Sequence, residues 1–206
     1  MNKISPRPRR VISGALMVIA ALAAVSVVTR SQAQNFTPKD LVGTWASAGC
    51  EPLGGPQPTF MKRTFNFTEA SWSLKLELFV DPACRAPLLT TQLSGPFTLG
   101  EAGAPAGARK VTWGQTRKLI TPFMPPIVAT MDGAKCGEGK NAPGTPQDVS
   151  ATGCLPLGVP SVKDYGQEFD LLALKDGKLY TGLRRDAMNL EANRPTQLFD
   201  FPLVRK

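Results

Sequence analysis

The groups in this chain that could carry chemistry are few. Four cysteines are present (Cys50, Cys84, Cys136 and Cys154), and there is no histidine. Without histidine and without a close Cys-x-x-Cys pair, a zinc site has no ligand set, so the cysteines read as disulfide partners. The usual Ser-His and Cys-His nucleophile arrangements are also missing. Two constellations of charge remain. Glu168 and Asp170 lie two apart on one strand-like segment, a spacing that would put both carboxylates on one face for acid–base work; a solvated edge is the simpler reading. Glu51 and Arg63 could form a partly buried pair orienting a ligand headgroup, or a plain structural ion pair, again the simpler reading. Gly137-Glu138-Gly139-Lys140-Asn141-Ala142 superficially matches a dinucleotide fingerprint. It follows a cysteine and runs into Pro143, so it lacks the strand–turn–helix context that phosphate binding needs. The chain is therefore expected to be no enzyme and to carry no cofactor and no metal.

The elements that would position these groups are strands. Trp72, Leu74, Leu76, Leu78 and Val80 alternate with Ser73, Lys75, Glu77 and Phe79, a period of two with one apolar face. Met61, Arg63, Phe65 and Phe67 alternate in the same way just upstream, and the short link Thr68-Glu69-Ala70-Ser71 makes an antiparallel hairpin of the two runs. Further strands are expected over 88–99, 109–120, 167–174, 178–184 and 196–204. Asp176-Gly177 supplies the positive φ angles of a type I′ hairpin turn. Thr37-Pro38-Lys39-Asp40 reads as a capped helical turn leading into a first strand through Trp45. No amphipathic helix of ten or more residues is legible after the N-terminus. Short strands with turn signals at regular spacing specify an all-β fold, an antiparallel meander β-barrel.

The first 33 residues stand apart. A basic start (Lys3, Arg7, Arg9, Arg10) precedes an apolar run from Val11 to Val28, and Ser31-Gln32-Ala33 offers a cleavage site. A cleaved signal peptide is expected, with an uncleaved N-terminal anchor as the alternative. Export, to the periplasm or the extracellular space, follows from it. Removing this segment leaves 19 basic against 16 acidic residues, a net charge of +3. That is too little for the clustered basic patch of a nucleic-acid interface. The remaining residues, 34–206, suffice for one domain with a core. Asn35-Phe36-Thr37 and Asn66-Phe67-Thr68 are glycosylation sequons, relevant only in a eukaryotic source.

Four cysteines allow three pairings, of which strand direction favours Cys50–Cys84 with Cys136–Cys154. In a meander the strands near Trp45 and Leu76 run the same way, two positions apart, so Cys50 and Cys84 emerge at one end of the sheet. Cys136 and Cys154 fall in an excursion over 136–160 in which nine of 25 residues are Gly or Pro. A segment of that length needs a staple or a task. Cys136–Cys154 would be the staple, and a lid over an opening or a surface insertion the two roles to consider.

Several of these residues resemble the domain of the adenomatosis-polyposis-coli-down-regulated family, animal cell-surface inhibitors of Wnt signalling with single-domain relatives in bacteria. The similarity runs through Trp45-x-Ser47-x-x-Cys50-Glu51, Arg63 ahead of an aromatic strand, Trp72, and Asp81-Pro82-x-Cys84-x-x-Pro87. It continues through Cys136-Gly137, Glu168-Phe169, Gly177-Lys178-Leu179, Arg194-Pro195-Thr196 and Pro202-Leu203. The resemblance implies a β-barrel-like domain with an apolar cavity suited to an acyl chain. Gly43-x-Trp45 also looks like the lipocalin start, whose tryptophan plugs the closed barrel end beneath an arginine; Arg184 and Arg205 are both placed to serve.

The resulting expectation is an exported binding protein for a hydrophobic small molecule, a lipid or acyl chain, held inside a β-barrel. Phe65, Phe67, Trp72, Leu74, Leu76, Leu78 and Trp113 are its cavity candidates, and Glu51 and Arg63 its polar mouth. The alternative is an interaction protein of the envelope whose barrel is filled. An isomerase or hydrolase on a lipocalin-like frame is the third reading.

Overall fold

Alternation of apolar and polar residues becomes strand pairing in the hairpin formed by β3 (Phe60–Phe67) and β4 (Ser71–Phe79). The computed structural model describes residues 36–53, 59–184 and 187–206, so the expected signal peptide or anchor over 1–33 lies outside the described residues, as does Asn35. Register places Phe67 opposite Trp72, Phe65 opposite Leu74, Arg63 opposite Leu76 and Met61 opposite Leu78. Before this hairpin come α1 (Pro38–Leu41), β1 (Gly43–Ser47) and the two-residue β2 (Glu51–Pro52). After it come β5 (Pro87–Ala102), β6 (Ala108–Gly114), β7 (Arg117–Pro122), α2 (Pro125–Gly133), β8 (Gln147–Asp148), β9 (Gln167–Lys175), β10 (Lys178–Thr181) and β11 (Leu203–Arg205).

Eight strands close a ring in the order β1-β3-β4-β5-β6-β9-β10-β11, every pair antiparallel. The fold is therefore an all-β, disulfide-tied antiparallel barrel. Closure by β1 and β11 leaves the barrel without a free edge, which removes the usual site of edge-to-edge association. The turn at Asp176-Gly177 has φ of 51° and 70°, the positive pair that a type I′ turn requires.

One end of the ring is plugged. Trp45 is buried, its indole Nε1 donates to the Leu41 carbonyl at 2.7 Å, and the Arg205 guanidinium lies 4.3 Å from its ring centroid. Arg205 also donates to the carbonyls of Val42 and Asp40. Of the two arginines available for this position, Arg205 takes it. Phe36, Leu41, Val111, Leu172, Leu179 and Leu203 fill the same end.

Three expected strands differ. The run over 109–120 is two strands, because the chain leaves the barrel at Gln115-Thr116. There β5 changes partner from β7, along Leu89–Ser94, to β6, along Phe97–Ala102. A side chain at Gly95 would meet the Gly114 carbonyl at 2.2 Å, so only glycine lets the two backbones cross at this fork. The run over 178–184 is strand only as far as Thr181. The run over 196–204 is strand only from Leu203, joined to the barrel before that by a single bridge between Gly182 and Leu198.

β7, β8, α2 and the 136–160 excursion form a side lobe with its own small core of Ile120, Met131, Cys136, Val149, Cys154 and Val159. Lys118 is buried beneath it, its Nζ donating to the carbonyls of Pro160, Ser161 and Tyr165. Three carbonyl acceptors match the three donors of an ammonium group, and so pin the excursion to β7. Both disulfides form as paired from the sequence: Cys50–Cys84 across a Cα separation of 5.7 Å and Cys136–Cys154 across 5.0 Å. Such bonds belong to oxidising compartments. No helix among the described residues is long and apolar enough to cross a membrane.

Candidate functional site

Opposite the plugged end the barrel holds a hollow of about 190 Å³. Its floor is aromatic. Phe65, Trp72 and Trp113 pack against one another with ring centroids 4.6 to 6.2 Å apart, and Phe67 and Phe97 complete the cluster from beneath. Met61, Leu74, Leu76 and Leu93 form the apolar wall, and Leu53, Leu183 and Phe199 stand at the rim. The parity of β3 and β4 points Met61, Phe65, Trp72, Leu74 and Leu76 inward, since both strands pack one face on the core and leave Lys62, Thr64, Ser73 and Lys75 on the other.

Five of the seven cavity candidates, Phe65, Trp72, Leu74, Leu76 and Trp113, line this hollow. Phe67 and Leu78 do not. Phe67 lies one inward position below Phe65, stacked on it at 5.8 Å and covered by Phe97, so it is packed floor rather than lining. Leu78, half-buried at the register shift between Leu78 and Phe79, is outside the lining. Val80, beyond it, is exposed. The 136–160 excursion contributes no lining residue to this hollow; Cys136, Val149, Cys154 and Val159 pack in the lobe core, with Leu157 against it, and Leu155 is exposed.

Glu51 and Arg63 are both buried and paired. Arg63 Nε donates to Glu51 Oε2 at 2.9 Å and its Nη2 to Oε1 at 3.2 Å. Its remaining donors reach Thr181 Oγ1 at 2.9 Å and the Phe201 carbonyl at 2.6 Å, and the guanidinium lies 4.8 Å from the Phe199 centroid. Four of its five N–H groups are engaged in this way. Arg63 forms part of the cavity wall, whereas Glu51 lies behind it as counter-ion.

The largest departure from the sequence reading concerns Glu168 and Asp170. Both are 4% exposed and line the hollow instead of forming a solvated edge. They share the inward parity of Leu172 on β9. The outward parity of β9 is covered too, by Ala108, Tyr180 and Leu198 around Leu171 and Ala173, so hydrophobicity appears on both faces and hides the direction of the carboxylates. Glu168 accepts from Gln115 Nε2 at 2.9 Å and pairs with Arg184 at the rim. Asp170 Oδ1 accepts the backbone N–H groups of Leu171 (2.7 Å) and Gly182 (3.0 Å), and Oδ2 accepts the Trp113 indole N–H at 3.2 Å. A side chain at position 182 would fall 2.3 Å from Asp170 Oδ1, so a glycine is required for that approach. Burial pushes the Asp170 carboxyl up to about 6, against the pull of its three donors and the charge of Arg194. Leu53, Met61, Leu93, Thr181, Gly182, Leu183 and Phe199 are the other lining residues that the sequence did not name for the site, and Arg184, offered there for the plugged end, lines the open one.

Chemically, the site is an aromatic-floored apolar pocket open at one end, with two buried carboxylates in its wall, Glu168 paired to Arg184 and Asp170 held by neutral donors. The described residues contain no group of three or more His, Cys, Asp or Glu side chains arranged to hold a metal ion. No protein-family model matches the chain, and no curated protein is similar to it.

Proposed function

We propose that this protein is an exported carrier or receptor for a hydrophobic small molecule, bound at the open end of the barrel. The observation that carries the reading is the hollow above the Phe65, Trp72 and Trp113 floor. A barrel of eight strands either fills itself with side chains or holds one small ligand; here the plugged half is filled and the open half is not.

Volume constrains the ligand. About 190 Å³ exceeds the ~150 Å³ apolar cavity that takes up benzene and falls short of the ~300 Å³ at which drug-sized pockets begin. The occupant is a compact apolar group, either a small ring or the end of an acyl chain whose remainder leaves past Leu53, Leu183 and Phe199. The resemblance to the adenomatosis-polyposis-coli-down-regulated domain, with its implied acyl-chain cavity, supports the lipid version. Displacement of a fluorescent fatty acid from delipidated protein tests the reading. Saturable binding abolished by Leu76→Trp supports it, and absence of binding across fatty acids, sterols and small aromatics sinks it.

One observation favours a second reading, an acid–base enzyme. A carboxyl raised to about 6 inside a pocket is a plausible general base. Against it, three N–H donors already hold Asp170, which suits a fixed charge better than a proton shuttle.

A further inference from the structure

Among the described residues, seven ionised groups lie in or behind the wall of the hollow, three cations and four carboxylates, and they do not balance. Arg63 is matched by Glu51, and Arg184 at the rim by Glu168. Arg194, which approaches Asp170 from outside the wall through the Asp170 carbonyl, is matched by Glu191 at 2.6 Å. Asp170 is the carboxylate left over. Its three bonds come from neutral donors, and a carboxylate has about four acceptor sites, so one on Oδ2 is free. A buried charge with no ion pair of its own among the described residues, reached only by the Arg194 charge through the wall, is costly and is relieved by a proton or by a cation. The surroundings suit a cation: Trp113, Trp72 and Phe65 line the floor, and aromatic rings attract ammonium groups over their faces.

Resting on the reading of the barrel as a binder of a hydrophobic small molecule, we propose that its ligand is an apolar organic amine, whose ammonium group is received by Asp170 Oδ2 above the aromatic floor. The volume admits a single ring with a short arm.

The test uses three probes of one skeleton, 2-phenylethylamine, 2-phenylethanol and phenylacetic acid, titrated calorimetrically into the delipidated protein at neutral pH beside the fluorescent fatty acid. The amine is expected to bind roughly 10- to 100-fold more tightly than the alcohol, the ratio a charge-assisted hydrogen bond supplies, with the acid weakest. In Asp170→Asn the preference should vanish while the alcohol still binds. In the wild type, amine affinity should fall as pH is lowered through about 6; this series carries the test if the variant fails to fold. Glu168 is the other carboxylate lining the hollow, and its pairing with Arg184 makes a Glu168→Gln control informative: the amine preference should survive it. Equal binding of amine and alcohol, a preference for the acid, or a preference that survives Asp170→Asn overturns the proposal while leaving the hydrophobic-ligand reading intact. Failure of all four probes overturns both.

Discussion

Replacing Glu51 by Gln isolates one buried charge at the barrel mouth. In the native protein the Arg63 guanidinium is 6% exposed and makes two bonds to Glu51, one to Thr181, one to the Phe201 carbonyl, and a stacking contact with Phe199. Removing the carboxylate charge leaves that cation in place with only neutral acceptors. Breaking a buried pair in this way costs ~3–5 kcal/mol, and the two surviving acceptors argue for the lower end, about 3 kcal/mol. Arg63→Met removes both donors that the Glu51 carboxylate has among the described residues and should cost at least as much. The double replacement Glu51→Leu with Arg63→Met removes both charges and should return to within ~1 kcal/mol of the wild type, because an apolar pair of similar size substitutes well for a buried ion pair. Urea unfolding at neutral pH with the disulfides intact measures all three, with the slope checked for constancy. The strong non-additivity is the diagnostic. Single-variant losses below ~1 kcal/mol, the range of a solvated pair, would refute the structural role assigned here.

Three further outcomes follow from the same structure. Loop lengths of 34 and 18 residues make Cys50–Cys84 worth ~3.8 kcal/mol and Cys136–Cys154 worth ~3.2 kcal/mol in the chain-entropy relation, measurable by denaturation of the paired alanine variants. Loss of Cys136–Cys154 should speed amide exchange in the side lobe while leaving the barrel strands protected, since the lobe has its own core. Asp170 binds its proton more tightly folded than unfolded, from 3.8 to about 6, so wild-type stability relative to Asp170→Asn should fall as pH rises from about 4 to about 6, by up to ~3 kcal/mol. Parallel pH curves for the two proteins would contradict that assignment.

How far the sequence disclosed this molecule varied with how each strand is covered. β3 and β4 each bury one face, so their alternation gave the hairpin, its bounds and the inward set from Met61 to Trp72, Arg63 included. Gly177 disclosed its turn through backbone chemistry, and the cysteines their pairing through strand direction. β9 is covered on both faces, by the barrel interior and by the chain after Gly182, so no alternation told Glu168 and Asp170 from surface residues. Their presence in an otherwise apolar run, Phe169-Asp170-Leu171-Leu172, was the available signal. The fork at Gly95 and Gly114 was invisible because a strand that changes partner keeps its own pattern. The rim residues Leu183, Arg184 and Phe199 lie in segments outside any strand, where periodicity gives no direction.

The decisive measurement is native mass spectrometry of the protein with hydrophobic ligands, wild type beside Leu76→Trp, both verified as folded by circular dichroism. The wild type should carry a single noncovalent hydrophobic adduct that the bulky indole excludes. A bare wild-type protein under every ligand offered, or an adduct retained equally by Leu76→Trp, would contradict binding inside the barrel.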